Sequence, residues 1–510
     1  MKKLLQTAHP WLFTLFSLLL FYRRYGNESV PTEILRPLVV LSILNVIVYF
    51  IAYKVTQKAA WAAISTSLFV FAFHYETSVF MLIGGITLGI LATTIISFLI
   101  LKRELSITTI AHLLTTISFV LVIIITTTLV QSFAPLPDGF YQEIKTRKNE
   151  IALPLTIPEN TPPDIYYIVL DAYTNAETLS DFYGYDNTDF VTSLEKKGFI
   201  VPDNIYANYP RTSLSIGSTT NLDYWDTIVT GMDDVTAWWP TKYFLDDNRV
   251  KLSLEAAGYR TIYFANDWGL TNNKKATIYF QPYPVQLTNY EDYLVRTTPL
   301  GILQKPFQRI MPTKTNESHR QFITYTFETL KEIPTMDGPK FVFAHIVFPH
   351  DPIVFDKNGA PIQARNTFSF GQPKVTKSER LQLYLGQIEY ANSQIKEVVD
   401  AILEKSSSPP IIIIQADHGL GLSMKFSPNT SQCFQERLSI FGAYYLPEKD
   451  IDDLFQDYSS VNLFRIIFNE YFETELPLLE NRYFFTEGRY LFAGMGEITE
   501  QMNIPCEMDN

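Results

Sequence analysis

Hydrophobic and polar positions follow two different patterns along this chain. Up to about residue 134 the chain consists of long apolar runs, at roughly 11–22, 36–53, 59–74, 78–101 and 108–131. The runs "FMLIGGITLGILATTIISFLIL" and "IAHLLTTISFVLVIIITTTLV" reach the roughly 20 residues that a helix needs to span a bilayer. The first run lacks a small-residue cleavage site and is followed by further apolar runs, which argues against a cleaved signal peptide. We therefore expect a membrane domain of about five helices over residues 1–134.

The charges that flank these runs indicate an orientation. With a cytoplasmic N-terminus and five spans, the inside segments hold six basic residues and the outside loops hold three. The inside set is Lys2, Lys3, Lys54, Lys58, Lys102 and Arg103, and the outside set is Arg23, Arg24 and Arg36. Because basic loops stay on the cytoplasmic side, we expect a multi-pass protein of a bacterial-type cell membrane, with everything after residue 134 outside the cytoplasm.

Beyond a Pro-rich polar linker at 135–162, short continuous apolar runs alternate with helical stretches. Strands are predicted over 164–171, 260–267, 340–348, 409–417 and 438–447, and helices over 186–197, 248–257, 317–332 and 377–405. Continuous apolar strands separated by helices are typical of an α/β domain with a largely parallel central sheet. We expect this domain over residues 163–475, followed by a C-terminal tail at 476–510.

The net charges of the two parts of the chain also differ. Residues 1–134 hold nine Lys/Arg and four Asp/Glu, a net charge of +5, whereas the whole chain carries −12, so residues 135–510 carry −17. Such an acidic domain argues against a nucleic-acid partner. The only two cysteines, Cys433 and Cys506, exclude a cysteine-rich metal site. Whether they pair stays open, and a bridge requires a domain outside the cytoplasm.

Acidic and histidine side chains follow three of the predicted strands. Asp171 ends "DIYYIVLD", His350 follows "KFVFAHIVF", and Asp417 and His418 end "IIIIQADHG". In open α/β sheets, sites form just beyond the carboxyl ends of the strands. Two carboxylates and one imidazole suit Zn²⁺ or Mn²⁺, and suit Mg²⁺ or Ca²⁺ less well. Gly419 and Gly421 are expected to let the backbone turn tightly behind this pair.

A hydroxyl-rich stretch, "NYPRTSLSIGSTT" at 208–220, supplies a candidate nucleophile. Pro210 indicates the entry to a helix, where a hydroxyl meets unpaired backbone N–H groups that favour a phosphate or an alkoxide. Thr212 is the preferred candidate, as both metal ligand and nucleophile, and Ser213 is the alternative. His350 is then placed to bind a substrate oxyanion or to protonate a leaving group.

Taken together, "PDIYYIVLDAYT", "YPRTSLSIGS", "HIVFPHDP", "IIIIQADHG" and "RLSIFGAYYLP" resemble the alkaline phosphatase superfamily. The similarity covers roughly residues 163–447. It is to the membrane-anchored sulfatase-like branch that includes lipoteichoic acid synthase and the phosphoethanolamine transferases. The resemblance implies a sulfatase-like fold and a threonine that forms a phospho-enzyme intermediate. By position it implies one divalent metal on Asp171, Thr212, Asp417 and His418, with His350 and Arg211 binding substrate.

Some features depart from parts of that superfamily. The stretch "YPRTS" lacks the Cys or Ser of the C/S-x-P-x-R motif, so formylglycine chemistry is not expected. The residues before His350, "IVFP", lack the Asp of two-metal enzymes, which favours a single metal.

The leading hypothesis is transfer of a phosphate-linked head group from a lipid donor to an extracytoplasmic acceptor through phospho-Thr212. The alternatives are a hydrolase of phosphate or sulfate esters and a non-catalytic, membrane-tethered binding protein. The expected partners are a phospholipid or other ester and the membrane itself. The head group, the acceptor, the metal and the oligomeric state stay open.

Overall fold

The structure is a computed structural model that describes most of the chain. The described residues are 2–74, 106–133, 136–157, 162–301, 305–362, 376–422, 433–449, 451–456, 458–486 and 490–503. The predicted apolar run 78–101 and Cys506 lie outside them. The chain divides into two compact units, one of Met1–Pro135 with Tyr283–Thr313, and one of Leu136–Pro282 with Lys314–Asn510. The domain boundaries inferred from sequence stay predictions.

The first unit is helical over its described residues. Its helices are α1 (Lys2–Thr7), α2 (His9–Tyr25), α3 (Leu35–Thr56), α4 (Ala59–His74), α5 (Ile107–Phe133) and, from the later segment, α13 (Asn289–Thr297). Two stretches, Pro31–Thr56 and Ile107–Gln131, are long and apolar enough to cross a membrane, and Ala59–Phe73 is a shorter apolar helix. Five spans therefore stay a prediction.

The segment Tyr283–Thr313 packs inside the first unit although its neighbours in sequence belong to the second. Tyr290 of α13 is fully buried. Its hydroxyl donates to the Leu18 carbonyl at 2.9 Å, and its ring meets that of Tyr22 at 5.6 Å between centroids. Glu291 forms an ion pair with Arg36. A buried aromatic side chain and an ion pair thus fix this segment against the end of α2 and the start of α3.

The second unit is built on a six-stranded sheet of order β3-β2-β4-β1-β5-β6. Its strands are β1 (Ile165–Leu170), β2 (Arg260–Phe264), β3 (Ile278–Phe280), β4 (Lys340–Ile346), β5 (Ile411–Ala416) and β6 (Gly442–Tyr445). All neighbouring strands are parallel except β5 and β6. Every residue of β1, β4 and β5 is buried, as strands covered by helices on both faces require. The predicted α/β class with a largely parallel sheet is confirmed.

Helices surround this sheet. They are α6 (Phe140–Glu150), α7 (Ala176–Tyr183), α8 (Thr188–Glu195), α9 (Thr212–Asn221), α10 (Trp225–Ile228), α11 (Thr241–Asp246), α12 (Arg249–Ala256), α14 (Asn316–Leu330), α15 (Lys377–Lys405), α16 (Phe434–Leu438) and α17 (Leu463–Phe472). A hairpin of β7 (Phe484–Thr486) and β8 (Met495–Glu497) follows. Short 3₁₀ turns occupy Pro31–Ile34, Lys305–Phe307, Ile333–Thr335, Asp452–Phe455, Ser460–Asn462 and Glu500–Asn503. Residues predicted as a tail therefore contribute a hairpin with buried phenylalanines.

Strand register brings the predicted site residues to one edge of the sheet. Leu170, the last residue of β1, pairs with Ile346 of β4 and with Ala416 of β5. The next residue of β1 is Asp171, and the next residue of β5 is Asp417. Because three central strands end at the same level, both carboxylates emerge side by side.

Candidate active site

Two carboxylates and an imidazole form a compact cluster at this edge. One ligand atom each from Asp171, Asp417 and His418 lies within 4.8 Å of the others, and all three residues are buried. His418 Nε2 is 3.3 Å from Asp417 Oδ2 and 3.6 Å from Asp171 Oδ1. The structure thus assembles three of the predicted metal ligands from residues that lie up to 247 positions apart in the sequence.

The Thr212 hydroxyl completes the cluster. Thr212 is the first residue of α9, after Arg211 in an extended conformation, and its Oγ1 lies 3.3 Å from His418 Nε2. The helix is buried along its whole length. Gly217 packs so closely on Trp225 that an added Cβ would lie 2.4 Å from the indole. Helix α9 is therefore held firmly, and Thr212 lies at its N-terminus, where the first backbone N–H groups have no partner within the helix itself.

The tautomer of His418 suits a metal ligand. Its Nδ1 lies 3.1 Å from the Gly419 carbonyl oxygen, which only accepts, so Nδ1 carries the proton. The Nε2 lone pair then faces the cluster. Burial, followed by the positive charge of Arg437, lowers the pKa of His418 well below its usual range. The imidazole is therefore neutral, as metal ligation requires.

The carboxylates supply the physical reason for a cation. Asp171 Oδ1 and Asp417 Oδ2 are buried and accept no hydrogen bond from the described residues. Burial, followed by the charge of Asp171, raises the pKa of Asp417 to about 6. These two buried carboxylate oxygens repel each other. Their burial is energetically favourable only when a positive charge lies between them. The residues present fit one divalent metal, and their oxygen and imidazole donors suit zinc or manganese.

His350 lies at the rim of this cluster. Its backbone N–H donates to the Asp171 carbonyl at 3.1 Å, and its ring centroid is 6.1 Å from that of His418. Nδ1 donates to the Asp351 carbonyl at 2.7 Å, so the other ring nitrogen, Nε2, is the one available to a substrate. Arg380 fixes Asp351 through two donors to one carboxylate oxygen, at 2.7 and 3.1 Å. The side chain is only partly buried, as a group that binds substrate should be.

Two arginines, the half-buried Arg211 and the buried Arg437, give the site positive charge. The guanidinium of Arg211 lies over the Trp238 ring at 5.5 Å. Burial, followed by the charge of Arg437, lowers the pKa of Arg211 to about 10, and burial lowers the pKa of Arg437 to about 10. Both side chains therefore stay charged at neutral pH. Two neighbouring cations of low exposure favour an anionic group, such as a phosphate or a sulfate, near them.

Arg437 was not predicted as a site residue. It donates to the Pro210 carbonyl through Nε and Nη2, at 3.0 and 2.8 Å. Its Nη1 donates to the carbonyls of Gly419 and Leu420 at 2.9 and 3.2 Å. One side chain thus ties the segment before Thr212 to the segment after His418. The sequence does not indicate this bridging role of the arginine that opens "RLSIFGAYYLP". The reason is that its partners are main-chain atoms of other segments of the chain.

The two glycines after His418 have different roles. Gly421 has φ +61, the left-handed conformation that the predicted tight turn needs. At Gly419 the reason is close packing instead, since an added Cβ would lie 2.5 Å from the Glu436 carbonyl and 2.6 Å from that of Ser439. The expectation of a tight turn at both positions is therefore wrong for Gly419.

Gly419→Ala is expected to destabilise the second unit by about 1–3 kcal/mol, because backbone must move to admit the methyl group. Denaturant unfolding with a chelator present measures this without a contribution from bound metal. Gly386→Ala, within α15, is the matched control, since its Cβ would make only an ordinary 3.6 Å contact with the backbone nitrogen of Lys357. Equal stability of both variants would contradict the packing argument.

Of the predicted residues, Asp171, Thr212, Asp417 and His418 come together, with His350 and Arg211 around them. The hydroxyl that contacts His418 is that of Thr212. The hydroxyl of Ser213, the alternative nucleophile, is buried and makes no hydrogen bond with the described residues.

Three candidate metal ligands beside a hydroxyl, at the edge of an α/β sheet, suit enzymatic chemistry on sulfate or phosphate esters. A family model described as Sulfatase matches residues 163–451, more than half of the chain. The chain belongs to the sulfatase family, which confirms the sulfatase-like resemblance recognised in the sequence motifs.

Solved structures that resemble the chain come from several bacterial enzymes. One is the C-terminal periplasmic domain of EcEptC from Escherichia coli in complex with Zn, at 13% identity, covering 68% of this chain and 97% of that one, with a TM-score of 0.45. Another is the integral membrane protein lipooligosaccharide phosphoethanolamine transferase A from Neisseria meningitidis, at 13% identity, 84% and 78% coverage, and a TM-score of 0.41. A third is the phosphonate monoester hydrolase of Agrobacterium radiobacter, at 12% identity, covering 63% of this chain and 80% of that one, with a TM-score of 0.42. No curated protein sequence gives a significant match.

Proposed function

We propose that the protein transfers a phosphate-linked head group from a membrane lipid to an acceptor outside the cytoplasm, through a phospho-Thr212 intermediate. The observation that carries this proposal is the Thr212 hydroxyl, 3.3 Å from His418 Nε2 at the first turn of a buried helix. Covalent catalysis by a hydroxyl needs such an activating site.

The chain's own residues account for the two half-reactions. The Thr212 hydroxyl loses its proton to solvent as its oxygen bonds to phosphorus and the ester bond to the lipid breaks. His350 gives a proton to the departing oxygen. An acceptor hydroxyl then loses its proton to His350 and attacks the same phosphorus, and Thr212 regains a proton from solvent. Arg211 and Arg437 offset the charge of the phosphoryl oxygens in both steps.

Asp171, Thr212, Asp417 and His418 are the residues that would hold one divalent metal. A bound divalent metal supplies positive charge that lowers the pKa of a nearby hydroxyl and stabilises negative charge on a phosphoryl group.

Two features support a membrane-bound enzyme with its catalytic domain outside the cytoplasm. Among the residues that the structure describes, the first unit contains two helices long and apolar enough to cross a bilayer. Cys433 is disulfide-bonded, which is typical of an oxidising compartment.

A hydrolase of phosphate or sulfate esters is the second candidate, because the family includes ester hydrolases and water is also an acceptor. A non-catalytic role is not supported, since the chain belongs to a family of enzymes and its four candidate ligands come together.

Incubation of the full-length protein with phospholipids labelled in the head group tests the proposal. We expect release of diacylglycerol and label on the peptide that contains Thr212. Cleavage of simple soluble esters, with every phospholipid left intact and no labelled peptide, would favour the hydrolase instead.

A further inference from the structure

A second histidine holds the far side of the Asp171 carboxylate. His345 lies in β4, and its side chain is completely buried. Its Nε2 is 3.5 Å from Asp171 Oδ2, whereas Asp171 Oδ1 faces His418 at 3.6 Å. The two oxygens of one carboxylate are thus divided between the cluster and His345. The sequence motifs gave His345 no role, because it lies inside an apolar strand.

The other ring nitrogen of His345 meets a fixed set of hydrogen-bonding groups. Asn266 Oδ1 accepts from the backbone N–H groups of Trp268 and Gly269, both at 3.1 Å. That fixes the orientation of the amide, so Asn266 Nδ2 is the group that donates to Thr271 Oγ1 at 2.8 Å. Thr271 Oγ1 lies 2.8 Å from His345 Nδ1, and Asn266 Nδ2 lies 3.3 Å from the same nitrogen.

These contacts determine where the His345 proton resides. A proton on Nδ1 would face the N–H of Asn266, whereas a bare Nδ1 accepts from the Thr271 hydroxyl, whose oxygen already accepts from Asn266. The proton then belongs on Nε2, where it faces a carboxylate oxygen. The opposite tautomer would place two lone pairs against each other at Asp171. The contacts at both nitrogens therefore agree on Nε2–H.

We propose that His345 is a positioning residue that holds Asp171 by Oδ2 and so directs Oδ1 towards Asp417 and His418, with Thr271 and Asn266 fixing the required tautomer. This inference rests on the proposed metal-dependent function. Outer partners of this kind orient a ligand and typically change metal affinity by roughly 10–100-fold.

Zn²⁺ affinity of the full-length protein, measured by chelator competition, tests the proposal. His345→Leu removes the donor, and we expect its affinity to fall by roughly 10–100-fold. His345→Gln keeps an N–H near the Nε2 position and should recover most of that loss. The matched pair Thr271→Val and Thr271→Ser tests the tautomer, because only serine keeps the hydroxyl that donates to Nδ1. We expect weaker binding for valine and near-normal binding for serine.

The outcomes separate this inference from the proposed function. If the unchanged protein binds no Zn²⁺, the metal-dependent function itself fails. If it binds Zn²⁺, and His345→Leu and Thr271→Val bind equally well, only the positioning role fails. Equal losses in His345→Leu and His345→Gln, or in Thr271→Val and Thr271→Ser, would also overturn it, since packing alone would then matter. Unfolding of each variant in chelator checks the fold, and the valine variant is close enough in shape to keep it.

Discussion

Thr212→Ala is expected to abolish head-group release, with a loss of roughly four orders of magnitude or more, as removal of a covalent nucleophile usually produces. The reason is geometric, since the Thr212 oxygen is the hydroxyl that contacts His418. Release of diacylglycerol from a labelled phospholipid measures the rate. Mass spectrometry of the Thr212 peptide measures the intermediate, which should disappear with the rate.

Two further variants make this result specific. Thr212→Ser keeps a hydroxyl and should retain part of the turnover and a phosphorylated peptide. Ser213→Ala removes the neighbouring hydroxyl and is expected to stay within a few-fold of the unchanged enzyme. If Ser213→Ala loses both turnover and the labelled peptide while Thr212→Ala keeps them, the nucleophile is Ser213 and the assignment is wrong by one residue.

Asp417→Asn is expected to remove the bound metal almost completely while making the metal-free protein more stable. The first effect follows from the loss of a ligand with the correct charge. The second follows from the raised pKa of Asp417, which shows that the buried charge beside Asp171 is unfavourable without a cation. An asparagine of the same shape removes that repulsion. Metal content by elemental analysis and thermal unfolding with and without chelator measure the two effects.

The substitution is expected to change the unfolding temperature in opposite directions with and without metal, which makes the experiment specific. The variant should unfold at a higher temperature than the unchanged protein in chelator, and at a lower temperature with saturating Zn²⁺. Asp400→Asn is the matched control, because its carboxylate pairs with Lys197 at the surface and is 57% exposed. Full metal retention by Asp417→Asn, or lower stability in chelator, would contradict the site as described.

The sheet and most of the site were predictable for the same reason. Strands buried on both faces must be apolar throughout, so "IIIIQAD" and "DIYYIVLD" stand out from their surroundings. Polar residues just beyond them fall at one edge once the strands are parallel. The helix at 377–405 was predicted to the residue, because its polar and apolar positions alternate over many turns.

The features that the sequence analysis did not predict depend on contacts between distant residues, which leave no local pattern in the sequence. Strand β3 has three residues, all only partly buried, so it has no apolar run. Arg437 donates to main-chain carbonyls, one of which belongs to Pro210, 227 residues earlier in the chain. His345 lies within an apolar strand, and its importance becomes visible only when β4 pairs with β1. In the membrane part, residue composition indicates apolar helices but does not establish how many of them cross the bilayer.

The placement of Tyr283–Thr313 has a practical consequence for isolating the catalytic domain. The chain passes between the two units three times, after Pro135, after Pro282 and after Thr313. One proteolytic cut just after Pro135 therefore leaves the units covalently joined. A soluble fragment that starts at residue 163 would retain this segment without its helical partners, and Tyr290 would become exposed to water. Such a fragment is expected to be prone to aggregation unless the segment is replaced by a short polar loop.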